Sequence, residues 1–75
     1  MKKLNFLLVQ EITDCDILEN IEKDTIAVLV DEDDCYIEVK TTGYYVSEGM
    51  TGNSSTNLLV AMAYLNKFKK DNGIS

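Results

Sequence analysis

Apolar and polar residues follow a two-residue rhythm through the middle of the chain and a helical rhythm near its end. Residues 25–30 (TIAVLV) are β-branched and apolar and read as a strand. Residues 35–42 (CYIEVKTT) alternate and read as the return strand, with Asp31-Glu32-Asp33-Asp34 as the turn between them. Opposing Val30 to Cys35 sets Val28 against Ile37 and Ile26 against Val39, all six on one face. The other face then carries Thr25, Ala27 and Leu29 with Tyr36, Glu38 and Lys40. One apolar and one mixed face is the pattern of a half-buried antiparallel hairpin.

Thr42-Gly43 is a second turn signal, because glycine adopts a positive φ freely. Residues 44–48 follow as a third strand. Opposing Thr41 to Tyr44 brings Val46 onto Val39, and places Tyr45 and Ser47 on the mixed face. Residues 49–55 read as a loop ending in residues suited to a helix N-cap. The spacing of Leu58, Ala61, Met62, Leu65 and Phe68 predicts a helix over 56–71. Lys67, Lys69 and Lys70 sit in its last turns, where they complement the helix dipole, and Asn72-Gly73 is a C-terminal cap signal.

The first third admits two readings. Residues 4–9 are apolar on both sides, which suits a strand, and Thr13-Asp14 then caps a short helix through residues 16–22 with Ile17, Leu18 and Ile21 inward. Leu4, Leu8, Ile12, Cys15 and Leu18 also fit one long helical stripe. The first reading fits the capping signal better. Together the elements predict an α+β fold in a single domain over residues 1–75. A three-stranded antiparallel meander, with the N-terminal strand as a candidate fourth, packs on a C-terminal helix.

Charge changes this picture most. Of 75 residues, 13 are acidic and 7 basic, for a net charge of −6. Residues 11–48 hold twelve of the acids against only Lys23 and Lys40, while both ends are mildly basic. All seven basic residues are lysines, so bidentate arginine recognition of phosphate is absent. An isoelectric point near 4.3 argues against direct binding of nucleic acid, which needs a basic face.

Composition also narrows the chemistry. No histidine is present, which excludes Ser-His and Cys-His nucleophile pairs and imidazole metal ligands. Two cysteines, Cys15 and Cys35, cannot make a structural zinc site alone, and the acids beside them disfavour a thiolate. Asp31-Glu32-Asp33-Asp34 lacks the alternate spacing, glycine and terminal glutamate of an EF-hand loop. Residues 49–56 contain glycines before a helix but no lysine, so they fail the phosphate-loop pattern. The expectation is a protein without catalytic activity, cofactor or metal. The opening apolar run is short for a secretory signal, and no stretch approaches the length of a membrane span, so a cytoplasmic location is expected.

What remains is a binding surface. Asp31, Glu32, Asp33 and Asp34 at the turn, with Tyr36, Glu38 and Tyr45 on the mixed face, are the candidate partner-binding residues. Carboxylates favour a protein partner with a basic surface, and tyrosine is enriched at interfaces. In size, charge and lack of catalytic residues the chain is similar to small acidic α+β proteins of phages and mobile elements. Anti-CRISPR proteins and inhibitors of uracil-DNA glycosylase belong to this class, and the similarity implies inhibition of a nucleic-acid-processing enzyme by mimicry of phosphates. The alternative is a small homo-oligomeric assembly protein, a homodimer through the tyrosine face or a sheet edge, whose acids only keep it soluble.

Overall fold

The computed structural model describes residues 4–46 and 50–74. Ser47 and Glu48 of the expected third strand, and the start of the following loop at Gly49, lie outside the described residues. The fold is α+β: a five-stranded antiparallel sheet in the order β1-β2-β3-β4-β5 packs against a C-terminal helix. The strands are β1 (Asn5–Leu8), β2 (Ala27–Val30), β3 (Tyr36–Lys40), β4 (Gly43–Tyr45) and β5 (Ser54–Ser55). A 3-10 turn at Val9–Glu11 and helix α1 (Cys15–Asn20) link β1 to β2, and helix α2 spans Leu58–Asp71.

The start of the chain is a strand followed by a short helix, not one long helix. Asp14 is the N-cap of α1, its Oδ1 accepting from the Asp16 N–H at 2.9 Å and the Ile17 N–H at 3.4 Å. Ile17 is buried and Ile21 half-buried, but Leu18, expected inward, is exposed.

The hairpin register differs from the expected one by a single residue. Val30 pairs with Tyr36, Leu29 with Ile37, Val28 with Glu38 and Ala27 with Val39. The cause lies in the turn. Asp31 pairs with Cys35 through its N–H, which donates to the Cys35 carbonyl at 2.9 Å, leaving a three-residue loop of Glu32, Asp33 and Asp34. Asp34 takes φ +61°, the left-handed residue that such a loop requires, and a short polar side chain tolerates it.

A one-residue slip moves every side chain of one strand to the other face. Val28 and Val30 therefore do not share a face with Ile37, and the sheet is apolar on both sides. On one side, Val28, Val30 and Tyr36 form a core with Ile12 and Ile17 from the N-terminal segment. On the other, Cys35, Ile37 and Val46 pack with Ala61 and Leu65 of α2. Tyr36 and Glu38, expected on a mixed face, lie beneath the N-terminal segment and are buried.

The next turn also shifts. Lys40 pairs with Gly43, Val39 with Tyr44 and Glu38 with Tyr45, so Thr41-Thr42 form the loop and Val46 does not oppose Val39. Gly43 has φ +146°, and a Cβ there would meet the Ser55 carbonyl oxygen at 2.8 Å, so only glycine lets β5 approach. The strand β5 was not expected. It pairs Tyr44 with Ser55 and Tyr45 with Ser54 in the segment read as loop.

Helix α2 begins two residues later than expected, with Asn57 as N-cap accepting from the Leu59 N–H at 2.9 Å. It ends in a Schellman motif: the Ile74 N–H donates to the Lys69 carbonyl at 2.7 Å and the Gly73 N–H to that of Lys70 at 3.2 Å. The helix lies over β3, β4 and β5. No helix among the described residues is long and apolar enough to cross a membrane.

Candidate partner-docking surface

Asp31 sits at the strand end of the acidic turn with its side chain on the α2 side of the sheet. Its Oδ1 accepts from the N–H groups of Asp33 at 2.8 Å and Cys35 at 3.1 Å, which fixes the loop as an Asx-type turn. Its Oδ2 lies 2.6 Å from the Nζ of Lys69, which reaches down from α2 and also contacts Asp33 Oδ2 at 2.7 Å. Asp31 and Lys69 are both buried. The hydrogen bonds from Asp31 and Asp33 outweigh the effect of burial and hold the Lys69 ammonium well above its ordinary pKa. Burial first, and the Asp31 carboxylate second, push the neighbouring Cys35 thiol up, which keeps it neutral and inert.

A second cluster lies on the opposite face. Glu38 is 0% exposed in the middle of β3. Its Oε1 accepts from the Glu22 N–H at 2.8 Å and the Thr25 hydroxyl at 2.6 Å, clamping the link between α1 and β2 to the sheet. Its Oε2 has no hydrogen-bond partner. Two residues along, Lys40 pairs with Glu22 and with Asp24, the latter at 3.1 Å, and its Nζ stands 4.6 Å from the centroid of the Tyr45 ring. Burial pulls the Lys40 pKa down, but the hydrogen bonds to Glu22 and Asp24 prevail and raise it. An open groove of about 520 Å³ runs beside this cluster, past Tyr44 and Ser55.

The seven residues expected to form one docking face are thus divided. Asp31, Tyr36 and Glu38 are buried, Asp33 is tied to Lys69, and Tyr45 packs under Lys40. Glu32 and Asp34 project into solvent at the hairpin tip. Sequence reasoning did not single out the exposed acids of α1, Asp16 and Glu19. The available signal was the position of Ile17 and Ile21 on the inward side of the helix, which turns 16 and 19 outward. Among the described residues, no group of three or more histidine, cysteine or carboxylate side chains is arranged to hold a metal ion. Comparison with family models, curated proteins and solved structures finds no match to this chain.

Proposed function

We propose that the protein is a non-catalytic binding module that docks on a basic surface of a partner protein through its exposed carboxylates. The observation that carries this reading is how the charges are paired. Among the described residues, the two buried or half-buried lysines, Lys69 and Lys40, are each taken by two acids: buried Asp31 and exposed Asp33 in one case, exposed Glu22 and Asp24 in the other. Asp16, Glu19, Glu32 and Asp34 have no ion pair among the described residues. Most of the excess negative charge is therefore left in solvent on the N-terminal layer, beside exposed Lys23, and at the hairpin tip, while α2 carries exposed Lys67 and Lys70 with Asp71.

Such a surface attracts a basic partner quickly and releases it as salt screens the field. In its specific form, carboxylates on a rigid sheet stand in for phosphates in the basic groove of a nucleic-acid-processing enzyme, as an inhibitor of the phage or mobile-element type would use them. The test removes charge at solvent-facing acids alone. Glu32→Lys with Asp34→Asn, which keeps a residue suited to φ +61°, should release a salt-sensitive partner while leaving the melting temperature unchanged. Retention of that partner at unchanged affinity would sink the reading.

A further inference from the structure

Strand β1 is an edge: among the described residues it pairs with β2 alone. The orientation of its backbone groups follows from two hydrogen bonds. The Val9 N–H donates to Ile26 in the segment leading into β2, and the Leu8 N–H turns away to the Glu11 carboxylate at 2.9 Å. By the alternation of an antiparallel strand, Phe6 also directs its N–H and C=O to the open side. Its side chain faces the α2 side with its pairing partner Leu29, away from the main contacts of α2 on β3, β4 and β5. Phe6 is 57% exposed and Leu8 38%.

Edges of this kind are ordinarily blunted by lysine, proline or a covering element. Residues 5–8 (NFLL) contain neither a charge nor a proline.

We propose that β1 is a self-association edge that pairs antiparallel with β1 of a second copy, about a two-fold axis through Phe6. Three observations select a second copy as the occupant. The first is reciprocity. Centred on Phe6, the pairing closes two N–H···O=C bonds using the outward groups of Phe6 alone.

The second is the short length of the free edge. Glu11 occupies the Leu8 N–H, so a longer foreign strand finds its next donor already taken. The third is the side-chain row. Leu4, Phe6 and Leu8 share one side by alternation, and the two-fold axis sets Leu4 against Leu8 of the second copy and Phe6 against its own counterpart. Cross-strand apolar pairs at this spacing are in contact.

The contact is small, at the low end of interface sizes, so the dimer is weak and depends on concentration. It also has a salt response opposite to that of acidic docking. Salt screens the repulsion between two −6 copies and strengthens the pairing.

The experiment is sedimentation velocity on the full chain from micromolar to millimolar concentration, at low and high salt, with amide exchange of Phe6 followed alongside. The expected mass rises from 8.4 kDa toward twice that value, more steeply at high salt, and the Phe6 amide gains protection with concentration. Phe6→Lys, and separately Phe6→Pro, which removes the outward N–H, should stay monomeric. Leu59→Lys, at the 69% exposed start of α2, should associate like the original chain. A constant mass of 8.4 kDa overturns the proposal, as does association that survives Phe6→Lys or is lost in Leu59→Lys. Protection of Phe6 that is independent of concentration overturns it without any variant.

Discussion

The Lys69 ammonium of α2 lies 2.6 Å from the Asp31 carboxylate at the end of β2, and both side chains are buried. This contact joins elements 38 positions apart in sequence and locks the acidic hairpin to the helix. Removing Lys69 leaves the Asp31 carboxylate as a buried charge. Lys69→Met should therefore cost about 3–5 kcal/mol, much of the stability of a domain this size. Asp31→Ala should also destabilise: Lys69 keeps Asp33, but the Asp33 and Cys35 amides lose their acceptor. Urea unfolding checks both, and a loss below about 1 kcal/mol in Lys69→Met would show that the pair does not hold the hairpin.

The same contact sets an alkaline limit. Its hydrogen bonds to Asp31 and Asp33 raise the Lys69 pKa above the ordinary 10.5. The folded state thus binds its proton more tightly than the unfolded chain. The stabilisation is complete below about pH 10.5 and is lost as pH climbs from there through the folded-state value. The melting temperature should fall above that point. Lys69→Met, measured in parallel, should show a shallower fall, and equal slopes would contradict the assignment.

Glu38 separates structural from docking carboxylates on the other face. Glu38→Gln keeps the oxygen that accepts from Glu22 and Thr25, and should change stability by less than about 1 kcal/mol. Glu38→Ala orphans those donors and should cost about 1–3 kcal/mol. Glu38→Lys, which a face-only reading of the hairpin treats as a surface reversal, should not fold. Circular dichroism with thermal melting distinguishes the three.

Thiol chemistry checks the packing of Cys35 against α2. Cys15 is exposed at the start of α1, and Cys35 is buried with a raised pKa. A disulfide reagent should label one thiol quickly in the native protein and the second only on unfolding. Two fast thiols would contradict the placement of Cys35 under α2.

These residues show how far the sequence carries. The hairpins, α2 and the cap at Asp14 were legible because each has a local signal: alternation, a 3.6-residue stripe, an N-cap carboxylate. The register was not, because it turns on one backbone angle. Asp34 at φ +61° shortens the loop by one residue and sends Val28 and Val30 to the face opposite Ile37. The pair Ser54–Ser55 has no strand propensity, and β5 exists only because Gly43 leaves room for it.

Lys69 was read as one of three lysines at a helix end. Yet it continues the inward stripe Ala61–Leu65, and that spacing was the sign that it is buried. The expected docking residues failed to form one face for the same reason: charge was legible, but the pairing that buries part of it is tertiary.

The central claim is that the acids left outside the lysine pairs dock, and the acids that hold Lys69 and Lys40 build. It is tested most directly by recovering partners from host lysate, treated with nuclease, at low and high salt. The baits are the original chain and Glu32→Lys/Asp34→Asn, after matching their melting temperatures. The original chain should retain a basic protein at low salt and lose it at high salt, and the variant should retain it at neither. Equal recovery by the two baits, or recovery by the original chain that high salt does not reduce, would contradict the account.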